Sequence, residues 1–110
     1  MTGTEGGEIA FVVDVTSFTK TGFVGTTSFV GEQVGIDFDD KGTGVFLSAE
    51  MARKVGVRKG DPLFVIVEDK VHTLARTKVA AVGKKVRISD EKAYYAVGRE
   101  GGAVVRIRRP

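Results

Sequence analysis

The 110-residue chain contains no cysteine, no tryptophan and no asparagine, and only two prolines and one glutamine. Without cysteine there is no disulfide framework, no thiolate metal site and no thiol nucleophile, so the chain needs no oxidising compartment. No apolar run approaches the roughly 18 residues that span a bilayer. Residues 1–8 are polar and glycine-rich, not basic and then apolar as in a secretory leader. No membrane partner is expected, and the expected localisation is cytoplasmic. The scarcity of thermolabile amides fits a thermophile.

What is present points to strands. Fifteen glycines against two prolines, in a background rich in valine and threonine, favour short strands joined by tight turns. With 42% hydrophobic and 28% charged residues, the chain can bury one core and not two. The net charge of +3 is unevenly spread. Residues 1–69 hold 6 Lys/Arg against 11 Asp/Glu, a net −5, whereas residues 70–110 hold 11 against 3, a net +8. Such asymmetry points to an anionic partner for the C-terminal part, or to attraction between two faces or two copies of the chain.

Sliding the chain against itself reveals a repeat at offset 41. Residues 45–69 align without gaps on 86–110, with identities at Val45/Val86, Ser48/Ser89, Glu50/Glu91, Ala52/Ala93, Arg58/Arg99, Gly60/Gly101 and Ile66/Ile107. Ser48 and Ser89 read as helix N-caps with acidic residues in the first turn behind them. Gly56 and Gly98 read as left-handed C-caps, and 63–67 and 104–108 as the strands that follow. A second match, at offset 58, sets Thr19-Lys20 and Val24-Gly25 on Thr77-Lys78 and Val82-Gly83. The difference between the offsets places a 17-residue insertion in the first unit, within 26–44. The first strands of the two units are then 9–18 and 71–76, and Ile9, Phe11, Val13 and Val15 alternate with period two.

The expected domain plan is a flexible N-terminus over 1–7 and one barrel domain over 8–110. Unit one spans 8–69 with the insertion 26–44, and unit two spans 70–110. Each unit reads strand, strand, short helix, strand, and neither buries its own apolar face. The expected fold is mostly β: a six-stranded pseudo-twofold barrel, which leaves no exposed edge, with two short helices and a β-hairpin insertion.

The segments LSAEMARKVGVRKGDPLFVIV and ISDEKAYYAVGREGGAVVRI carry a twofold pattern of apolar strand, Ser-x-Glu helix start, glycine turn and apolar strand. In this the chain resembles the cradle-loop barrels, the double-psi and RIFT-type β-barrels related to AbrB-type transcription factors. In style it is most similar to the barrel half of the N-terminal domain of archaeal AAA ATPases. The second copy departs from the pattern, with Gly102 where the first has Asp61 and a turn one residue shorter. The resemblance implies a fold more than a function, because the architecture hosts DNA-binding factors, protein-recruiting adaptors and enzymes.

No catalytic constellation is expected, and no cofactor. The single histidine, His72, has no serine or acid placed against it by any motif. Asp37, Asp39 and Asp40 begin like a calcium loop, but the twelfth position is Ser48 where a bidentate glutamate is required, so a polar turn is the expected reading. The chain is expected to be a non-enzymatic binding module. Lys85, Arg87, Arg106 and Arg108 alternate with aliphatic residues and, with Lys84 and Arg109, form the expected nucleic-acid face for DNA or RNA, acting through phosphate contacts. The competing reading is a solvated face whose charges prevent edge-to-edge aggregation. The alternative function is a protein-recruiting or oligomerising adaptor. Its docking residues are Phe29, Val30, Val34, Ile36 and Phe38 of the insertion, for a protein partner or a homodimer.

Overall fold

A computed structural model describes residues 7–29, 31–68, 72–100 and 102–110. In chain order the elements are β1 (Glu8–Phe18), β2 (Gly22–Thr27), β3 (Gln33–Asp37), β4 (Gly44–Ser48), α1 (Ala49–Val55), β5 (Pro62–Glu68), β6 (Thr73–Gly83), β7 (Arg87–Ser89), α2 (Glu91–Glu100) and β8 (Gly102–Arg108). The strands close into one mixed barrel in the order β1-β2-β3-β7-β4-β6-β5-β8. The fold is therefore mostly β and a closed barrel, as the composition and repeat predict. The wall holds eight strands where six are expected.

The strand registers explain the two extra strands. Val67 pairs with Thr73 and its repeat mate Arg108 pairs with Glu8, so β6 residues 73–78 correspond to β1 residues 8–13, at offset 65. Ser48 pairs with Gly83 and its mate Ser89 pairs with Asp37, so 81–83 correspond to 35–37, at offset 46. The second half of β6 thus has its counterpart in β3 and not in β1. The 19 residues by which the two offsets differ lie between 13 and 35. They form the far half of β1, β2 and the connection to β3, and they are built into the wall instead of lying over it. The offset-58 match is a chance agreement of four common residues: Thr77 and Lys78 correspond to Val12 and Val13, and Val82 and Gly83 to Ile36 and Asp37.

Strand directions place the helices. Around the ring β1, β3, β7 and β5 run one way and β2, β4, β6 and β8 the other. α1 joins the end of β4 to the start of β5 and caps one end of the barrel; α2 joins the end of β7 to the start of β8 and caps the opposite end. Period-two alternation sends Ile9, Phe11 and Val13 of β1, Val34 and Ile36 of β3, Leu63 and Val65 of β5 and Val105 and Ile107 of β8 into one core. Met51, Ala52 and Val55 seal it at the α1 end, and Ala93, Ala96 and Val97 at the α2 end. Each large side chain so buried contributes about 1.5–3 kcal/mol before entropy is counted.

The caps differ between the repeats. Ser48 caps α1, its hydroxyl accepting from the Met51 amide at 3.3 Å, and Gly56 ends the helix at φ 80°. In α2 the cap is Asp90, whose Oδ1 accepts from Ala93 N at 3.0 Å, while Ser89 is the buried last residue of β7. The shift of one position follows from the first carboxylate available ahead of the helix. Gly98 lies inside α2 and does not end it. Its missing side chain admits the Phe23 ring, which a Cβ would approach to 3.2 Å.

Candidate functional site

The six cations expected to share one face are divided by the barrel. β7 and β8 stand four positions apart in a ring of eight, on opposite sides. Lys84, Lys85 and Arg87 line a groove of about 530 Å³ with Val24, Glu32 and Gln33. Arg106, Arg108 and Arg109 lie across the barrel on β8 and just beyond it.

Two of the six are matched by acids from neighbouring strands. Arg106 sits between Ala10 of β1 and Ile66 of β5 in register. Its guanidinium pairs with Glu8 and, at 2.7 Å, with Glu68. The hydrogen bond to Glu8, then that to Glu68, holds its pKa above the ordinary arginine value, so it stays charged but is neutralised in place. Arg87 pairs with Asp37, one strand away on β3, and lies 5.8 Å from the Phe46 ring centre. All three acids come from strands far away in sequence, so strand alternation alone gives no sign of them.

Arg108 and Arg109 belong to a different group, at the α1 end. Phe64 of β5 has Arg76 of β6 on one side and Arg108 of β8 on the other, in direct register. The two guanidinium carbons lie 5.8 and 5.2 Å from its ring centre. Two residues nearer the end of the barrel, Lys78 stands opposite Pro62. Arg109 runs against the end of α1: a Cβ on Gly7 would lie 2.6 Å from its Nε, and one on Gly56 3.7 Å from its Cζ. Arg53 and Lys54 occupy the last turn of α1, just ahead of Gly56. Arg58 and Lys59 follow in a turn held by the Asp61 carboxylate, which accepts from Arg58 N at 2.9 Å, and by Gly60 N donating to Val79 O.

Eight cations from α1, its exit turn, β6 and β8 therefore ring the start of β5. Among the described residues none of them takes part in an ion pair. Arg53, Lys54, Arg58 and Lys59 come from the acidic half of the chain, which is why a reading by halves passes over them. Guanidinium groups set over a ring keep their edges free for bidentate contacts to phosphate oxygens. Phe64 already carries two guanidinium groups, which favours recognition of a charged backbone over stacking of a base.

The docking residues expected in the insertion are likewise dispersed. Val34 and Ile36 are buried, because β3 is a wall strand, and form no surface. Phe29 is partly buried against the core, and Val30 lies outside the described residues. Phe38, 39% exposed, joins a cluster at the α2 end with Phe18, Phe23, Tyr94 and Tyr95. Phe23 stacks on Tyr94 at 5.5 Å, and Phe38, Tyr94 and Tyr95 meet edge to face at 5.2–5.9 Å. Phe18, Phe23, Tyr94, Tyr95 and Gly98 line a groove of about 310 Å³. The sequence signal for this cluster is a glycine inside a helix, directly after Tyr94-Tyr95-Ala96-Val97 and across from a free aromatic strand.

The remaining candidates are spent locally. Asp39 caps its own loop, its oxygens accepting from Lys41 N at 2.8 Å and Thr43 N at 3.1 Å. The Thr43 side-chain hydrogen bond, then the Lys41 amide, lowers its pKa below the usual carboxylate value. His72 is exposed just ahead of β6. Among the described residues no helix is long and apolar enough to cross a membrane. No protein family, curated protein or solved structure matches the chain, so the reading of its function rests on this geometry.

Proposed function

We propose that this chain is a non-enzymatic binding module that holds nucleic acid by its phosphate backbone, through the cationic surface at the α1 end. The observation that carries the reading is the convergence of Arg53, Lys54, Arg58, Lys59, Arg76, Lys78, Arg108 and Arg109 around the start of β5 with no acid paired to any of them. A protein that only needs soluble strand edges places charges of both signs on its surface. A surface with eight cations against Glu50 and Asp61 concentrates phosphate and releases counterions when it binds.

Kinship with the cradle-loop barrels belongs to the same proposal. Its support is the pair of parallel contacts, β4 with β6 and β3 with β7, which the repeat relates across the antiparallel β4–β7 pair.

The test compares two double charge reversals in a salt titration against random-sequence duplex and single-stranded DNA. Arg76→Glu with Arg108→Glu lowers affinity at low salt by about tenfold or more and flattens the salt dependence. Lys84→Glu with Lys85→Glu, on the other side of the barrel, leaves the slope close to that of the parent. Absence of binding at low salt, or equal loss in the two variants, overturns the reading.

A further inference from the structure

An acid among cations ordinarily weakens a phosphate-binding surface, yet Asp61 stands in the exit turn of α1 directly after Arg58, Lys59 and Gly60. Among the described residues its carboxylate forms no ion pair with either cation. Its hydrogen bonds go to the backbone. Oδ2 accepts from Arg58 N at 2.9 Å, and Asp61 N donates to Arg58 O at 3.0 Å, so the four-residue turn is closed from both sides. Gly60, at φ 92°, supplies the positive φ that the third position of such a turn takes. Two further bonds fasten the turn to β6. Gly60 N donates to Val79 O at 2.8 Å, and Val79 N donates to Asp61 O at 2.9 Å.

The consequence falls on Arg58 and Lys59. Both are exposed and neither is held by an acid, so their position is set by the backbone beneath them. A turn without the carboxylate has to be ordered when phosphate arrives, and that entropy is subtracted from the affinity. In the second copy of the repeat Gly102 stands at the position of Asp61, so the exit of α2 has no carboxylate there.

We propose that Asp61 is a positioning residue for the phosphate backbone: it strengthens binding by holding Arg58 and Lys59 in place, although its own charge opposes the ligand. The inference rests on the reading of the α1 end as a phosphate-binding surface. The cations touch the phosphates, and the carboxylate holds the turn that carries them.

The experiment measures the affinity of the full chain for random-sequence duplex DNA over a salt series, in the parent, Asp61→Ala and Asp61→Asn. Removal of a negative charge, acting alone, tightens binding in both variants. Asp61→Ala is instead expected to bind about threefold or more weakly and to flatten the salt slope by about one to two, the share of two phosphate contacts. Asparagine keeps an oxygen that accepts from Arg58 N, so Asp61→Asn is expected to retain the parent's slope and at least its affinity. With Arg58→Gln and Lys59→Gln already in place, Asp61→Ala is expected to cause no further loss. A chain merely less stable leaves the slope unchanged, and thermal melts place every measurement well below the midpoint. Tighter binding by Asp61→Ala, a loss at unchanged slope, or a loss that persists without the two cations overturns the inference and leaves the phosphate-binding surface standing. A parent that does not bind the duplex at low salt overturns that surface, and the inference with it.

Discussion

The two helices hold equivalent places in the repeat, yet the barrel ends they cap have opposite chemistry. α1 is short and stops at Gly56 in the left-handed region, which turns the chain sharply and leaves Arg53, Lys54, Arg58 and Lys59 around one exit. α2 runs past the corresponding position, because Gly98 stays helical and makes room for Phe23 from the hairpin that only the first unit possesses. One end becomes cationic and the other aromatic. A duplicated unit keeps the barrel closed, and the 19 interposed residues change what one end of it displays.

The largest break in this comparison comes from the hairpin itself. Gly22 sits where β2 meets β3, and a Cβ there would overlap the Ile36 carbonyl oxygen, with backbone on the far side that has no room to move. Gly22→Ala is expected to destabilise the chain by about 3 kcal/mol. Gly83, with nothing near a built Cβ, tolerates the same change within about 0.5 kcal/mol. Urea denaturation of the two variants measures both, and equal midpoints would show that the hairpin is not part of the wall.

A finer comparison is between the two helix glycines. Gly56→Ala forces an L side chain to φ 80°, at a cost of about 1–2 kcal/mol. Gly98→Ala gains helix propensity of nearly 1 kcal/mol and loses part of it at the 3.2 Å contact with Phe23, leaving a net change within about 0.5 kcal/mol. Thermal melts of the pair separate a cap from a contact. Similar losses in both variants would restore the reading in which the two glycines play one role.

Much of this was legible in the sequence, and what was not has an identifiable reason. The offset-41 match correctly aligns β4 with β7 and β5 with β8, because strand and helix of a repeat share local hydrophobic spacing. Ser48 and Gly56 act as their residue types predict. The insertion was misplaced because Thr-Lys and Val-Gly pairs recur by chance in a valine- and glycine-rich chain, whereas its true limits appear only in strand pairing. Alternation sends Arg87 and Arg106 outward correctly. It does not reveal that Asp37, Glu8 and Glu68 arrive beside them from 38 to 98 residues away. The aromatic cluster needed three segments to meet, and only the helical Gly98 announced it.

The smallest expected effect concerns the neutralised side of β8. Removing one arm of the Arg106 network, as in Glu68→Gln, leaves Glu8 in place and acts on half-exposed groups. The expected loss is about 0.5 kcal/mol at low salt, and it vanishes in about 1 M salt. The same change frees part of the Arg106 charge and is expected to raise affinity for DNA slightly, by less than the loss caused by Arg76→Glu.

The central claim is that the two ends do different work, and an amide hydrogen-exchange footprint with and without duplex DNA tests it most directly. Protection is predicted over residues 53–60, 74–79 and 106–109, with no added protection over 84–87. Protection centred on 84–87, or on the ring-bearing segments 18–23 and 91–98, would contradict the account.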